Sequence, residues 1–208
     1  MAPRIVRRGE HLDAILYRHG VDRTAWSAPS NERLRATRGD GHVLAPGDVL
    51  ELPEPERPTP TPLRVGAISR FTAVVPNIPI ELAYSRAGAP IAGEPWHIEG
   101  YGEDARGVTD ADGKLTFEVR VTTPRVTLVF ERTGSRSLLE IGGLDPIQTT
   151  GGLTQRLRNL GFAVGEAAGR DAPELRRAIT DFQVRHKLAP TGEPNAETLE
   201  ALHARHGS

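Results

Sequence analysis

The sequence predicts a multidomain α+β protein with three folded parts in a row. The hydrophobic pattern changes along the 208 residues, and a stretch rich in proline separates the first part from the second. The first part has the order strand, helix, helix, strand; the middle alternates as β-strands do; the last has helical spacing. We therefore predict a βααβ domain at 1–53, a linker at 54–62, a β-sandwich at 63–146 and a three-helix domain at 147–208.

Composition excludes several classes of protein. A formal net charge of −1 argues against a general nucleic-acid binder, which needs a basic excess. The sequence has no cysteine, so disulfides and thiolate metal sites are excluded. No apolar run has the length of a signal peptide or a bilayer span, which predicts no membrane insertion. We expect synthesis in the cytoplasm without a signal peptide, and delivery to the periplasm or exterior by a contractile injection system.

In the first part, Ile5 and Val6 predict a short strand that ends at Arg8–Gly9. A helix should follow on a stripe that includes Leu12 and Ile15, and Gly20 should end it. A second helix is predicted at 31–36, and a strand containing Val49, Leu50 and Leu52 should pair with the first.

This segment resembles a LysM domain in its glycine and acidic residue after the first strand and its Leu-x-Pro-Gly-Asp near the end. The family has a βααβ fold and binds glycans that contain N-acetylglucosamine, such as peptidoglycan, through two loops. The glycan-binding residues that the resemblance implies are Gly9, Glu10, His11, Leu12, Leu44, Pro46 and Gly47. The sequence departs where His11 replaces the usual Thr and where 21–41 is longer and more charged. The alternatives are that these residues only form turns, or that the module assembles with other proteins, as LysM-like domains do in phage tails and injection machines.

In the middle part, residues 115–121 and 126–130 alternate cleanly and predict neighbouring strands of a sandwich. Gly107-x-Thr109-Asp110-x-x-Gly113 before such a strand resembles carboxypeptidase-regulatory-like, transthyretin-like modules, which are mostly structural. The Asp-x-Asp-Gly phrase at 110–113 could begin a calcium loop, but a hairpin turn is favoured. Trp96, His97 and Tyr101 could line a ligand surface; core packing is the favoured role of Trp96. The linker is expected to be an extended spacer rather than a peptide ligand.

In the last part, three helices are predicted from apolar residues at helical spacing. Gly161 should end the first helix, Asp171 with Glu174 should form a capping box for the second, and Asn195 should cap the third.

This segment resembles the three-helix peptidoglycan-binding domain that accompanies many bacterial cell-wall hydrolases. The resemblance rests on Leu-Gly-Phe at 160–162, Phe-Gln at 182–183 and Thr-Gly at 191–192 with Asn195 and Thr198. It implies Phe162, Phe182 and Gln183 as glycan-binding residues. The family's usual turn before the second helix is replaced by 165–171, which borders the ligand groove of the family.

The sequence contains no recognisable catalytic motif, and we predict a protein that is not an enzyme and has no cofactor or bound metal. His203 and His206, at i and i+3, could share a metal, but a solvated helix face is favoured. The predicted function is a non-catalytic, modular peptidoglycan-binding protein. The alternative is a structural or adaptor component of a type VI secretion or phage-tail-like apparatus, with spike or tail proteins as partners. An exported effector with an unrecognised hydrolase activity is a third hypothesis.

Overall fold

The computed structural model describes residues 2–39, 41–54, 65–66, 68, 70–72, 74–86, 89–100, 105–165 and 172–206. Within them, helices and antiparallel strands form three groups, each with a hydrophobic core. The protein is thus a mixed α+β chain, and its three cores fall inside the three predicted domains. The limits of those domains remain predictions. The predicted linker lies outside the described residues except for Glu54.

The first group holds two paired strands and three short helices around one core. Its elements are β1 (Ala2–Ile5), α1 (Leu12–His19), α2 (Thr24–Ser27), a 3-10 turn (Pro29–Asn31), α3 (Glu32–Arg38) and β2 (Val49–Leu52). β1 and β2 pair antiparallel, as predicted. Buried Asn31 links the helices to the sheet, because its amide bonds the carbonyl of Ala25 and both backbone groups of Glu51 at 2.8 Å.

Two details of this group differ from the sequence prediction. β1 ends at Ile5, and Val6 instead exchanges backbone hydrogen bonds with the turn at 47–48. Helix α2 was not predicted, because four residues are too few to show helical periodicity. The Asp22 carboxylate accepts the Thr24 amide at its start. Gly20 ends α1 at φ 63°, as predicted.

The described residues of the middle group form eight strands. They are β3 (Asn77–Ala83), β4 (Ser85–Arg86), β5 (Ala89–Pro90), β6 (Pro95–Ile98), β7 (Arg106–Val108), β8 (Lys114–Arg120), β9 (Arg125–Phe130) and β10 (Arg136–Glu140). A four-stranded antiparallel sheet has the order β10-β9-β6-β7, while β3 pairs with β8 and β4 with β5. The four-stranded sheet and the β3–β8 pair contribute side chains to one core.

The structure confirms the predicted role of Trp96, whereas the turn at 110–113 differs in part from the prediction. Trp96 is buried in the core, 5.8 Å from Phe117 between ring centroids, which confirms core packing. Tyr101 lies outside the described residues. The turn is real, since the Asp110 carboxylate accepts the amides of Asp112 and Lys114. It is not a β-hairpin, because β7 and β8 belong to different sheets and β8 pairs with β3.

In the last group, the described residues form three helices around a small apolar core. They are α4 (Thr150–Asn159), α5 (Pro173–Arg185) and α6 (Ala196–His206). Asn195 accepts the Thr198 amide at 2.9 Å, which confirms the predicted cap of α6. The proposed cap of α5, Asp171, lies outside the described residues, and Ala172 at the cap position makes no side-chain bond.

The prediction for the two C-terminal histidines was wrong for His206. Its ring is half-buried and its Nε2 lies 2.9 Å from the Asn159 side-chain nitrogen of α4. Burial, with the nearby charges of Arg156 and His203, lowers the pKa of His206 to about 4. The sequence could not show that α6 returns to the end of α4. His203 is exposed, as predicted.

Candidate ligand-binding site

The turn after α4 fixes the position of Phe162 through a Schellman motif. The amide of Phe162 donates to the Leu157 carbonyl at 2.9 Å, and the amide of Gly161 donates to Arg158 at 2.8 Å. Gly161 has φ 83°, the left-handed conformation that this motif needs. Leu157 and Phe162 both lie in the core, which is the apolar contact that usually accompanies the motif. The sequence Leu-Gly-Phe therefore places an aromatic ring in the core directly after the end of α4.

Helix α5 covers this ring from two sides. Phe182 meets Phe162 edge to face at 5.6 Å between centroids. The guanidinium carbon of Arg185 lies 4.4 Å from the centroid of the Phe162 ring, within cation–π distance. The ring of Phe162 thus contacts both the buried Phe182 and the exposed guanidinium of Arg185.

An open cleft of about 450 Å³ lies beside this stack. It is lined by Gly161, Phe162, Ala163, Asp181, Val184 and Arg185. Val184 is 60% exposed although it is apolar, and Asp181 and Arg185 are exposed with opposite charges. The cleft therefore offers apolar contact, a cation for carboxylates and an anion for hydroxyl or amino groups.

Gln183, a buried residue of α5, connects this helix to the Thr-Gly turn and to α6 through hydrogen bonds. Its side-chain nitrogen lies within 3.0 Å of the hydroxyls of Thr191 and Thr198 and of the Glu193 carbonyl. Its oxygen accepts the Gly192 amide at 2.9 Å. Gln183 is completely buried, so it holds the Thr-Gly turn and the start of α6 rather than touching a ligand.

Among the residues implied by the peptidoglycan-binding resemblance, only Phe162 lines the cleft. Phe182 and Gln183 are buried behind it, where they shape its wall. Sequence reasoning missed Asp181, Val184 and Arg185. The signal was present: Val184 is an apolar residue on the outer face of an amphipathic helix, away from the stripe that contains Ile179 and Phe182. The loop at 166–171 lies outside the described residues.

The residues implied by the LysM resemblance are less accessible. Leu12 and Leu44 belong to the first core, and His11 is buried as well, whereas Gly9, Pro46 and Gly47 are exposed. The Glu10 carboxylate is occupied by the guanidinium groups of Arg4 and Arg18 and by the amide of Arg7. These contacts leave little polar capacity for a sugar on this loop.

The described part of the chain contains neither a cluster of metal ligands nor a membrane-spanning helix. No group of three or more histidine or acidic side chains there could hold a metal ion. None of the helices described is long and apolar enough to cross a membrane.

Comparison with known proteins agrees with the C-terminal geometry. The family model described as "Putative peptidoglycan binding domain" matches residues 152–202. The C-terminal part of the chain is therefore a helical domain of the peptidoglycan-binding type.

Two curated relatives are the "Localization factor PodJL" proteins of Caulobacter vibrioides strains NA1000/CB15N and ATCC 19089/CIP 103742/CB 15. Each is 34% identical over 102 residues, which is 47% of this chain and 10% of the relative. The chain thus corresponds to a small fraction of those proteins. No solved structure matches the chain.

Proposed function

We propose that this protein binds peptidoglycan without catalysing its cleavage, and that the C-terminal cleft beside Phe162 is its main contact with the wall. One observation carries the proposal: the domain that matches a peptidoglycan-binding family has an open, amphiphilic cleft built on its Leu-Gly-Phe turn. Peptidoglycan presents apolar sugar faces and acetyl groups next to carboxylates. Exposed Val184 suits the former, and Arg185, which lies over the buried ring of Phe162, suits the latter.

The other two parts of the chain are proposed as supports of this binding. In the first group, helices lie between two strands that pair with each other, and in the middle group the four-stranded sheet and the β3–β8 pair share a core. We propose a LysM-like module and a transthyretin-like spacer on these grounds. We also propose that the protein meets the wall in the periplasm or outside the cell.

The alternative role in a contractile injection apparatus gains no support from the family match or from the relatives. The similarity to localization factors supports a different extension. A wall-binding domain within a longer localization protein would hold that protein at a site on the wall.

Co-sedimentation with purified sacculi tests the proposal. The change Arg185→Glu reverses the charge in the cleft, so that attraction to the carboxylates of peptidoglycan becomes repulsion. We expect at least a roughly five-fold loss of affinity. The matched control is Arg177→Glu, the same charge reversal at an exposed position of α5 that does not line the cleft. Equal binding by the two variants would contradict the assignment of the cleft.

A further inference from the structure

His11, the residue at the cap position of α1, does not cap the helix with its side chain. His11 occupies the cap position with extended backbone, φ −118° and ψ 160°, and its carbonyl accepts the Ile15 amide at 3.1 Å. Its side chain makes no capping hydrogen bond. Ser, Thr, Asp and Asn are preferred at this position because their oxygen satisfies a free amide of the first turn. His11 therefore forgoes the cap, and its ring is buried elsewhere.

The ring of His11 contacts the middle group. It hydrogen-bonds to the backbone of Val121, which follows β8 and is itself buried. Burial lowers the pKa of His11, although Asp13 and this bond oppose the shift. A neutral imidazole carries one N–H, which suffices to donate to the Val121 carbonyl.

The turn after β10, which belongs to the middle group, also contacts the loop at 9–12 that contains His11. Gly142 has φ 77°, and a Cβ atom added there would lie 3.0 Å from His11 Cδ2 and 3.1 Å from the Gly9 carbonyl oxygen. The turn therefore approaches the loop so closely that a side chain would displace it. Gly9 and His11 lie on the loop that the LysM resemblance implies for glycan binding.

We infer that the loop at 9–12 is a docking surface for the middle domain, held by the ring of His11 against Val121 and Gly142. The first two domains form one rigid body through this contact. While they are docked, the loop is turned towards the chain's own second domain and not towards a glycan. The interface stands independently of wall binding, whereas its effect on glycan access rests on the LysM-like role proposed above.

The substitution His11→Thr tests the interface without harming the first domain. Threonine restores a capping oxygen, which stabilises the start of the helix, while it removes the ring. Backbone ¹⁵N relaxation of the full chain measures the rotational correlation time of each domain. We expect equal values for the first two domains in the wild type and unequal values in His11→Thr. Independent tumbling in the wild type, or unchanged joint tumbling in the variant, would overturn the inference.

A matched pair of substitutions tests the other side of the contact. Asn tolerates the left-handed conformation, so Gly142→Asn adds a side chain with little backbone strain. The control is Gly134→Asn, at φ 67° in the same group, where an added Cβ meets nothing within 4 Å. Only Gly142→Asn should separate the two domains. Joint tumbling in both variants would argue against the interface.

Titration with N-acetylglucosamine pentamer separates this inference from the proposed LysM role. We expect amide shifts at 9–12 in His11→Thr and none in the wild type. Shifts in the docked wild type would overturn the covering of the loop. Separated domains with no shifts in His11→Thr would support the interface and overturn the glycan role of the first domain.

Discussion

At the scale of single residues, the C-terminal domain depends on a polar side chain in its core. Gln183 is as buried as Phe182 beside it, and its amide satisfies groups from the Thr-Gly turn and from α6. Its role is to fix the turn against the helix. These hydrogen bonds hold α5, whose outer face lines the cleft, against the rest of the domain.

Replacing Gln183 with Leu should lower the free energy of unfolding of this domain by about 2 kcal/mol or more. A polar group left without a partner in a core costs roughly 1–3 kcal/mol. The buried Gly192 amide would lose its acceptor, and the Thr198 hydroxyl would keep only its bond to Asn195. Urea denaturation followed by circular dichroism measures the change. Gln148→Leu, at an exposed position, is the control and should have little effect.

His206 predicts a pH dependence for the same domain. Its pKa in the folded protein is about 4, below the ordinary value of 6.5, so the unfolded chain binds the proton more tightly. Its contribution is therefore fully present above about pH 6.5 and is lost as the pH falls towards about 4. His206→Gln should flatten this part of the stability profile. A smaller slope should remain, because burial also lowers the pKa of His186. An unchanged profile in the variant would show that His206 is not responsible.

At the scale of elements, the turns after α4 and α5 follow the same pattern with different residues. After α5, the Leu188 amide donates to Gln183 at 2.8 Å and the Lys187 amide donates to Val184 at 3.1 Å. The left-handed position is Gly161 after α4 but Lys187, at φ 59°, after α5. A residue with a Cβ is strained there.

Lys187→Gly should therefore stabilise the C-terminal domain by about 0.5–1 kcal/mol, the net of relieved strain and the greater flexibility of glycine when unfolded. Lys187→Ala keeps the Cβ and should give no such gain. Thermal unfolding of the two variants distinguishes backbone relief from loss of the lysine charge. Equal stabilisation by both would point to the charge.

The sequence was sufficient where a local pattern determined the outcome. Gly20, Gly161 and Asn195 lie at the helix ends that their residue types predicted, because capping depends on a few neighbouring groups. It was insufficient where distant segments meet. The pairing of β8 with β3 and the contact of His206 with Asn159 depend on the tertiary arrangement. On α5, Val184 marks the outer face in the sequence, but its place in a cleft could not be predicted, since the cleft exists only once the turn at 161–163 lies beside it.

At the scale of the whole molecule, three cores divide the stability of the chain. Leu157 lies in the C-terminal core, and Leu157→Ala should cost about 2–5 kcal/mol there. Because the other cores are built from other residues, calorimetry should show one transition moving and the rest of the unfolding profile unchanged. A shift of the entire profile would mean that the three groups unfold as a single unit.

We propose above all that the wall is bound in the cleft beside Phe162. The most direct test is ¹⁵N NMR of the full chain during titration with a soluble disaccharide–peptide fragment of peptidoglycan. We expect the largest amide shifts at 161–163 and at 181–185. Shifts confined to the loops at 9–12 and 43–47, or no shifts at millimolar ligand, would contradict it.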